Sequence, residues 1–504
     1  MKANKIFALI LALFMLMPLV LCGCQPSDGP DKTGGSGEEL TGESENENAV
    51  YDAEIKDLGG HEFHIYAHKG TTVNLSYVEL VSDGLNGDKV NDAVFERNNK
   101  LKEKYNATIK VTFSESCSAE LRDPFQAQEY VCDFVFSRAT HQRTLSSLNT
   151  LVDLSTLDNI NLDKAWWDQG ARVGLNFGKE VFCINGDVLT IDDRATMVMY
   201  FNADQVALYE NTNLYDAVEQ GKWTIDLMYK IMQACEKDVN GDGVIKRGDV
   251  FGYSAGTSSV SHHLIASGIT LSERTENGRL TVPLQPTQKL LDGLAALKPI
   301  YTSNLTYLTS SGTAFFEAEC PFYTSHLGSI QNFTQSELNI GVVPYPKMNE
   351  EQETYNAATI MTQFGCCSIP VTVNNTTNKD WETSGFTSAV ERNAYFLEAL
   401  GYYSMNYLTP AYYDQVLEKQ TSKDPRTVEM LDIILANRLY DPIMGFDTGG
   451  MGSTLFQYLC GEGTGTFATD MFYETFVSSY GSKVDAVNKW LKDFYATVDG
   501  EAAA

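Results

Sequence analysis

His61-Glu62-Phe63-His64-Ile65-Tyr66-Ala67-His68 places Phe63, Ile65 and Ala67 on one face, the two-residue period of a strand. Residues 88–105 follow with a helical stripe of Val90, Val94, Phe95 and Leu101 opposite Glu96, Arg97, Lys102 and Glu103. A second strand is predicted at 108–113, with Ile109, Val111 and Phe113 inward, and a further helix near 119–130. Cys132-Asp133-Phe134-Val135-Phe136 is then almost wholly apolar, as suits a strand covered on both faces in a parallel sheet. Strand, helix, strand, helix, strand defines an α/β layer architecture.

The pattern continues downstream. Phe182-Cys183-Ile184-Asn185-Gly186-Asp187 and residues 197–202 open a second region. Trp223-Thr224-Ile225-Asp226 starts a helix that runs to Cys235, with Thr224 as N-cap and Asp226 at the positive end of the dipole. An apparent strand lies at 250–253. Helices are predicted at 280–297 and 389–407, and the helix-rich C-terminal third ends in an amphipathic stretch near 484–495. No repeat at solenoid periods is present. The roughly 450 residues after the N-terminal segment exceed what one core supports, so two or more domains are expected.

The N-terminal segment reads as an address. Lys2 and Lys5 precede an apolar run from Ile6 to Cys22 that is short for a membrane span. Leu21-Cys22-Gly23-Cys24 resembles the bacterial lipobox, which implies a signal peptide over 1–23, cleavage before Cys24 and lipid on its thiol. Residues 25–49 are mostly Gly, Ser, Pro, Asp, Glu and Asn with almost nothing apolar, so 24–52 is expected to be a disordered acidic tether.

The formal net charge of −29 argues against nucleic acid, whose phosphates need Lys and Arg, and against anionic lipid surfaces. Of ten cysteines, eight remain beyond Cys24, with no C-x-x-C pair and no zinc-ribbon spacing. Several sit in apolar runs, so mostly free, buried thiols are expected, with a bridge or two open to the chain in an oxidising compartment.

Asp238-Val239-Asn240-Gly241-Asp242-Gly243-Val244-Ile245-Lys246-Arg247-Gly248-Asp249 follows the EF-hand calcium-loop pattern. Asp238, Asn240 and Asp242 supply side-chain oxygens, Gly243 the sharp turn, Val244 its carbonyl and Asp249 the closing acid. Structural calcium is expected there, against the competing reading of an Asx-rich surface turn without an ion. The acid at the last position resembles the dockerin-type variant. No H-E-x-x-H, G-x-S-x-G or Walker loop is present. Trp166-Trp167-Asp168 lies in a polar context. It reads equally as a sugar-stacking platform or as a hydrophobic corner between domains.

Several stretches together resemble the lipoprotein solute-binding proteins of ABC importers, the extracellular family 1 type that includes many sugar binders. They are Asp57-Leu58-Gly59-Gly60, Trp166-Trp167-Asp168, Met199-Tyr200-Phe201-Asn202, and Gly221-Lys222-Trp223-Thr224-Ile225-Asp226 followed by the calcium-like loop. Gly341-Val342-Val343-Pro344-Tyr345-Pro346-Lys347, Ser368-Ile369-Pro370 and Thr409-Pro410-Ala411-Tyr412-Tyr413 complete a set in the expected order. The stretch after Ser311 and Gly449-Gly450-Met451-Gly452 fit loosely.

The resemblance implies a two-lobed periplasmic-binding-protein-like fold with a hinge, an interlobe cleft and a helix-rich C-terminal part. Lobe 1 is expected over 53–195 with a return near 305–350, and lobe 2 over 196–304 and 351–504. The implied function is capture of a small solute, a sugar or oligosaccharide, by a lipid-anchored monomer at the outer membrane face. Delivery to an ABC permease would follow, without chemistry on the solute. A surface glycoside hydrolase or lyase and a peptide binder are the alternatives. Ligands of open α/β sheets sit at the carboxyl ends of strands. That rule picks Lys69 after the first strand, Arg138 and His141 after the third, and Tyr323 later, with Asp192 before the crossing strand; Trp166 and Trp167 join them as stacking candidates.

Overall fold

The computed structural model describes residues 49–70, 78–302, 305–309, 311–333, 336–419, 424–460 and 473–500. Cys24, the expected signal peptide and the tether up to residue 48 lie outside the described residues.

The first sheet is built from β1 (His61–His68), β2 (Ala107–Ser114) and β3 (Phe134–Arg138), with β1 pairing parallel to both neighbours. The parallel register sets Ile65 beside Val111 and Phe134. The intervening helices are Lys89–Tyr105 and Cys117–Gln126. Asp88 caps the first, its side chain accepting from the Asn91 N–H. Asn106 closes that helix in the left-handed region at φ 49°. A fourth strand, β11 (Gly365–Ser368), runs antiparallel beside β3, giving the order β11-β3-β1-β2. Phe113, expected inward, is instead 42% exposed. It lies at the far end of β2, an edge strand with a neighbour on one side only.

The second sheet contains β4 (Met197–Asn202), β5 (Tyr253–Ala255), β8 (Thr306–Leu308), β9 (Phe322–His326) and β10 (Ile340–Val343), in the order β10-β4-β9-β5-β8. Strands β5, β8 and β9 are mutually parallel, and β4 runs against β9 and β10. A two-residue hairpin, β6 (Glu273–Arg274) with β7 (Leu280–Thr281), stands apart. The helix expected from 280 begins only at Gln288 and runs Gln288–Thr302. Pro283 and Pro286 explain the delay, because the residue before a proline is driven out of the helical region. The strand expected at 250–253 starts at its last residue. Val250 instead exchanges hydrogen bonds with Lys237 across the calcium-like loop.

Two domain expectations are corrected. Residues 305–350 do not return to the first sheet, because β8, β9 and β10 complete the second. The return is made by β11 and by the first half of the helix Ala389–Lys419, whose Ala389, Phe396 and Tyr403 pack into the first core. Phe63 and Phe396 stack there at 3.9 Å between ring centroids. Further along the same helix, Tyr412 and Val416 join the second sheet's cluster beside Tyr200 and Tyr323.

Three connections thus link the two cores. Two are extended segments that hold one another, with Met197 N–H donating to Ala358 C=O at 2.8 Å and Ile360 N–H to Ala195 C=O at 2.9 Å. The third is the long helix. The C-terminal helices Met451–Cys460 and Tyr473–Val498 pack Leu455, Val484 and Leu491 into the second core. No described helix is long and apolar enough to cross a membrane. The cysteines at 117, 132, 183, 235, 320, 366 and 367 are free and buried.

Candidate functional site

A cavity of about 890 Å³ lies where the carboxyl ends of β5, β8 and β9 meet the amino end of β4, beside the two extended crossings. Parallel strands bring their following loops to one edge, which makes that edge a natural ligand site. Gly256, Leu308 and Tyr323 arrive from the three parallel strands, Met197 from β4, and Thr359 and Thr362 from the crossing. The opposite wall is the segment 444–457, with Asp447, Ser453 and Phe456.

Each side chain is held by its neighbours. Tyr323 is 7% exposed and stacks on Phe315 at 5.7 Å. Thr324 shares a 3.0 Å hydrogen bond with the Tyr253 hydroxyl. His326 is fixed between the Arg194 carbonyl, 3.2 Å from Nδ1, and the Ser329 hydroxyl, 3.2 Å from Nε2. Asp447 takes a left-handed backbone at φ 48° and accepts from Ser453 N–H at 3.1 Å and Ser453 Oγ at 2.8 Å. The short helix Ser259–Ala266, which follows β5, brings Ser258, Ser261 and His262 to the wall.

Burial pushes both His262 and His326 down to about 4, so these imidazoles are neutral near pH 7. Among the described lining residues Asp447 is the one with a carboxylate, and none is Lys or Arg. The wall is therefore hydroxyl-rich, nearly neutral and partly aromatic, which suits a neutral polar solute.

A smaller cavity, about 230 Å³, contains Trp166, Trp167 and Asp192 of the expected site. Neither indole offers a stacking face to solvent. Trp166 is 0% and Trp167 2% exposed, and both Nε1 atoms donate to Glu398 Oε2, at 3.3 and 3.0 Å. The pair is an anchor between the first sheet's cover and the long helix, and its reading as a sugar platform is set aside. Glu398, buried beneath the two rings, is pushed up to about 7.

Asp192 is also buried. The guanidinium of Arg438 lies 2.8 Å from Asp168, 2.8 Å from Asp193 and 3.5 Å from Asp192. Burial raises Asp192 well above the usual carboxylate range and raises Asp193 as well, with Arg438 opposing, and takes neighbouring Asp187 to about 7.

The remaining expected residues gather at the carboxyl edge of the first sheet and line neither of these cavities. Lys69 is exposed, 3.7 Å from Glu115. Arg138 precedes the helix Ala139–Ser146, and His141 on that helix meets His68, the last residue of β1, edge to face at 5.3 Å. Only Tyr323 of the seven expected ligand residues lines the large cavity. Asp447, Ser453, Phe456 and His262 were not anticipated. The one signal was the loosely fitting glycine-rich stretch at 449–452, which is where that wall turns.

In the calcium-like loop, Gly243 takes φ +79° as the pattern requires. Asp238 accepts from Gly241 N–H and Gly243 N–H, both at 2.7 Å. Asp242 accepts from Val244 N–H at 3.0 Å and pairs with Lys246. The buried Asp249 accepts from Val239 at 2.9 Å and Lys246 at 3.1 Å.

No protein-family model matches the chain, and no curated protein does. Solved structures do. An ABC substrate-binding protein from Listeria monocytogenes, in complex with cycloalternan, is 9% identical and superimposes with a TM-score of 0.51 over 86% of this chain and 99% of its own. The cyclic alpha-maltosyl-1,6-maltose binding protein from Arthrobacter globiformis is 12% identical, with a TM-score of 0.55 over 85% of this chain and 99% of its own. The chain thus has the two-lobed α/β fold of periplasmic solute-binding proteins.

Proposed function

We propose that this protein captures a carbohydrate outside the cytoplasm and hands it to an ABC permease, held to the membrane by lipid on Cys24. The cavity of about 890 Å³ at the carboxyl ends of β5, β8 and β9 carries the reading. Its neutral hydroxyl lining, with Tyr323 and Phe456 as aromatic faces, fits a polyol larger than a single sugar ring. The two neighbours described above bind cycloalternan and cyclic alpha-maltosyl-1,6-maltose, so cyclic and linear oligosaccharides are the first to test.

A ligand that binds only the folded state raises the melting midpoint, by about 2.7 kcal/mol of stability at one hundred times Kd. One oligosaccharide class is expected to raise the midpoint of the purified protein and to be recovered unchanged. Tyr323→Ala and Phe456→Ala are expected to weaken that shift at least about tenfold in apparent affinity, within the range a buried aromatic anchor contributes. Consumption of the sugar would instead identify a glycoside hydrolase or lyase. A shift with peptides and none with sugars would overturn the carbohydrate reading.

We also propose that calcium binds residues 238–249 in a structural role, through Asp238, Asn240, Asp242, the Val244 carbonyl and Asp249. The loop's backbone already has the required turn. The Lys246 ammonium on Asp242 competes with an ion and must swing away, so Lys246→Gln is expected to tighten calcium binding. Melting with calcium and with a chelator checks this, and equal midpoints for both proteins in both solutions would leave the loop a surface turn.

A further inference from the structure

The carboxyl edge of the first sheet gathers a second constellation. His68 ends β1, Cys117 opens the helix after β2, and His141 lies on the helix after β3. Each offers one donor atom, and the three atoms lie within 4.8 Å of one another. Among the described residues they are the one His, Cys, Asp or Glu group so converged. We propose that His68, Cys117 and His141 form a transition-metal site, for which zinc is the best-fitting ion.

The donor chemistry supports this. Two imidazoles and a thiolate are borderline-soft ligands that zinc accepts at tetrahedral geometry, and three protein ligands leave a fourth position for water or a solute oxygen. Imidazole coordinates in its neutral form, which predominates for an ordinary histidine near pH 7. Nδ1 of His141 is buried without a hydrogen-bond partner.

Cys117 is fully buried among Leu121, Phe125, Val135 and Leu145. An ordinary cysteine is a thiol near pH 7. Binding is an exchange in which the Cys117 S–H proton leaves to solvent as the sulfur–metal bond forms. Arg138 opposes a cation, whereas Glu120, which accepts from Tyr66 and from Ser114 Oγ at 2.8 Å beside this cluster, favours one. Half-buried His141 provides the side from which an ion enters.

Cobalt(II) titrated into the reduced, metal-free protein tests the site, because thiolate-bound tetrahedral cobalt shows near-ultraviolet charge-transfer and visible ligand-field bands. Both sets are expected at one equivalent, with release of about one proton per ion and displacement of cobalt by zinc. Cys117→Ser is expected to abolish the charge-transfer band, and His141→Ala to weaken binding at least about tenfold. Asp485→Asn, on the exposed face of the C-terminal helix, should change neither. Should Cys117→Ser fail to fold, the half-buried His141→Ala decides alone. Absence of the bands would overturn the proposal. So would bands that survive His141→Ala at full strength or vanish instead in Cys366→Ser.

Discussion

Replacing Arg438 by methionine is expected to cost about 3–5 kcal/mol of stability at pH 8, the cost of leaving buried charges without their partner. Arg438 is the shared counter-ion of Asp168, Asp192 and Asp193, and the side chains of all four are at most 13% exposed. Methionine keeps most of the volume and removes the charge. The loss should shrink towards pH 5, and the sign follows from the carboxyls. Asp187, Asp192 and Asp193 already have folded pKa values above their unfolded ones. Such groups favour folding when protonated, and that contribution disappears as the pH climbs through the folded values. Taking away the guanidinium raises those values further, so the variant should fall away more steeply between pH 5 and pH 8 than the parent. Denaturant unfolding at the two pH values measures it. A loss below about 1 kcal/mol at pH 8 would mean that the cluster is solvated in solution and contributes little.

The second large effect is acid destabilisation through the buried histidines. His262 lies in the cavity wall with its pKa pushed from the ordinary range to about 4 by burial, and His263 behind it is taken to about 3. A histidine depressed in the folded state binds fewer protons there than when unfolded, so stability drops as the pH falls from about 6.5 towards the folded value. Asp187 and Glu398, pushed up to about 7, act in the opposite direction and gain stability over the same interval. The parent profile is therefore a difference of two trends, and a substitution isolates one of them. His262→Asn is expected to lose about 2–3 kcal/mol less than the parent between pH 7 and pH 4.5, at about 1.4 kcal/mol per unit of pKa. Parallel stability curves would show that His262 is hydrated and titrates normally.

The two effects differ in how visible they were in the sequence. The first three strands were legible because their signals are local. Alternation in 61–68 and the apolar run ending at Phe136 give period and burial without knowledge of any partner. Thr224 likewise announced its helix through a cap that reaches only to Leu227. The allocation of 305–350 failed because a short apolar strand carries no mark of which sheet it will join. Antiparallel pairing of β9 and β10 with β4 settles that, across more than a hundred residues. The Arg438 cluster was illegible for the same reason, since Arg438 stands 245 residues from Asp193. Trp166-Trp167 misled because a polar sequence context hid a buried partner, Glu398, more than 230 residues away. The large cavity was half readable. The strand-end rule found Tyr323, whereas the wall at 444–457 follows no strand.

The helix Ala389–Lys419 spans about 46 Å at 1.5 Å per residue, and it is embedded at one end in the first core and further along in the second. A solid rod clamped into two bodies leaves them few ways to move. Shear along the rod would drag Phe396 or Tyr412 out of its packing, and free separation would break the rod. Bending is the compliant direction. It concentrates at Pro410, which removes one rung of the helical ladder between the two embedded ends. With the paired crossings at 195–197 and 358–360 acting as the opposite seam, the two bodies behave as a clamshell with a leaf spring. Its stroke is bounded by how far one proline can flex, a limit set by the backbone and not by the cavity wall.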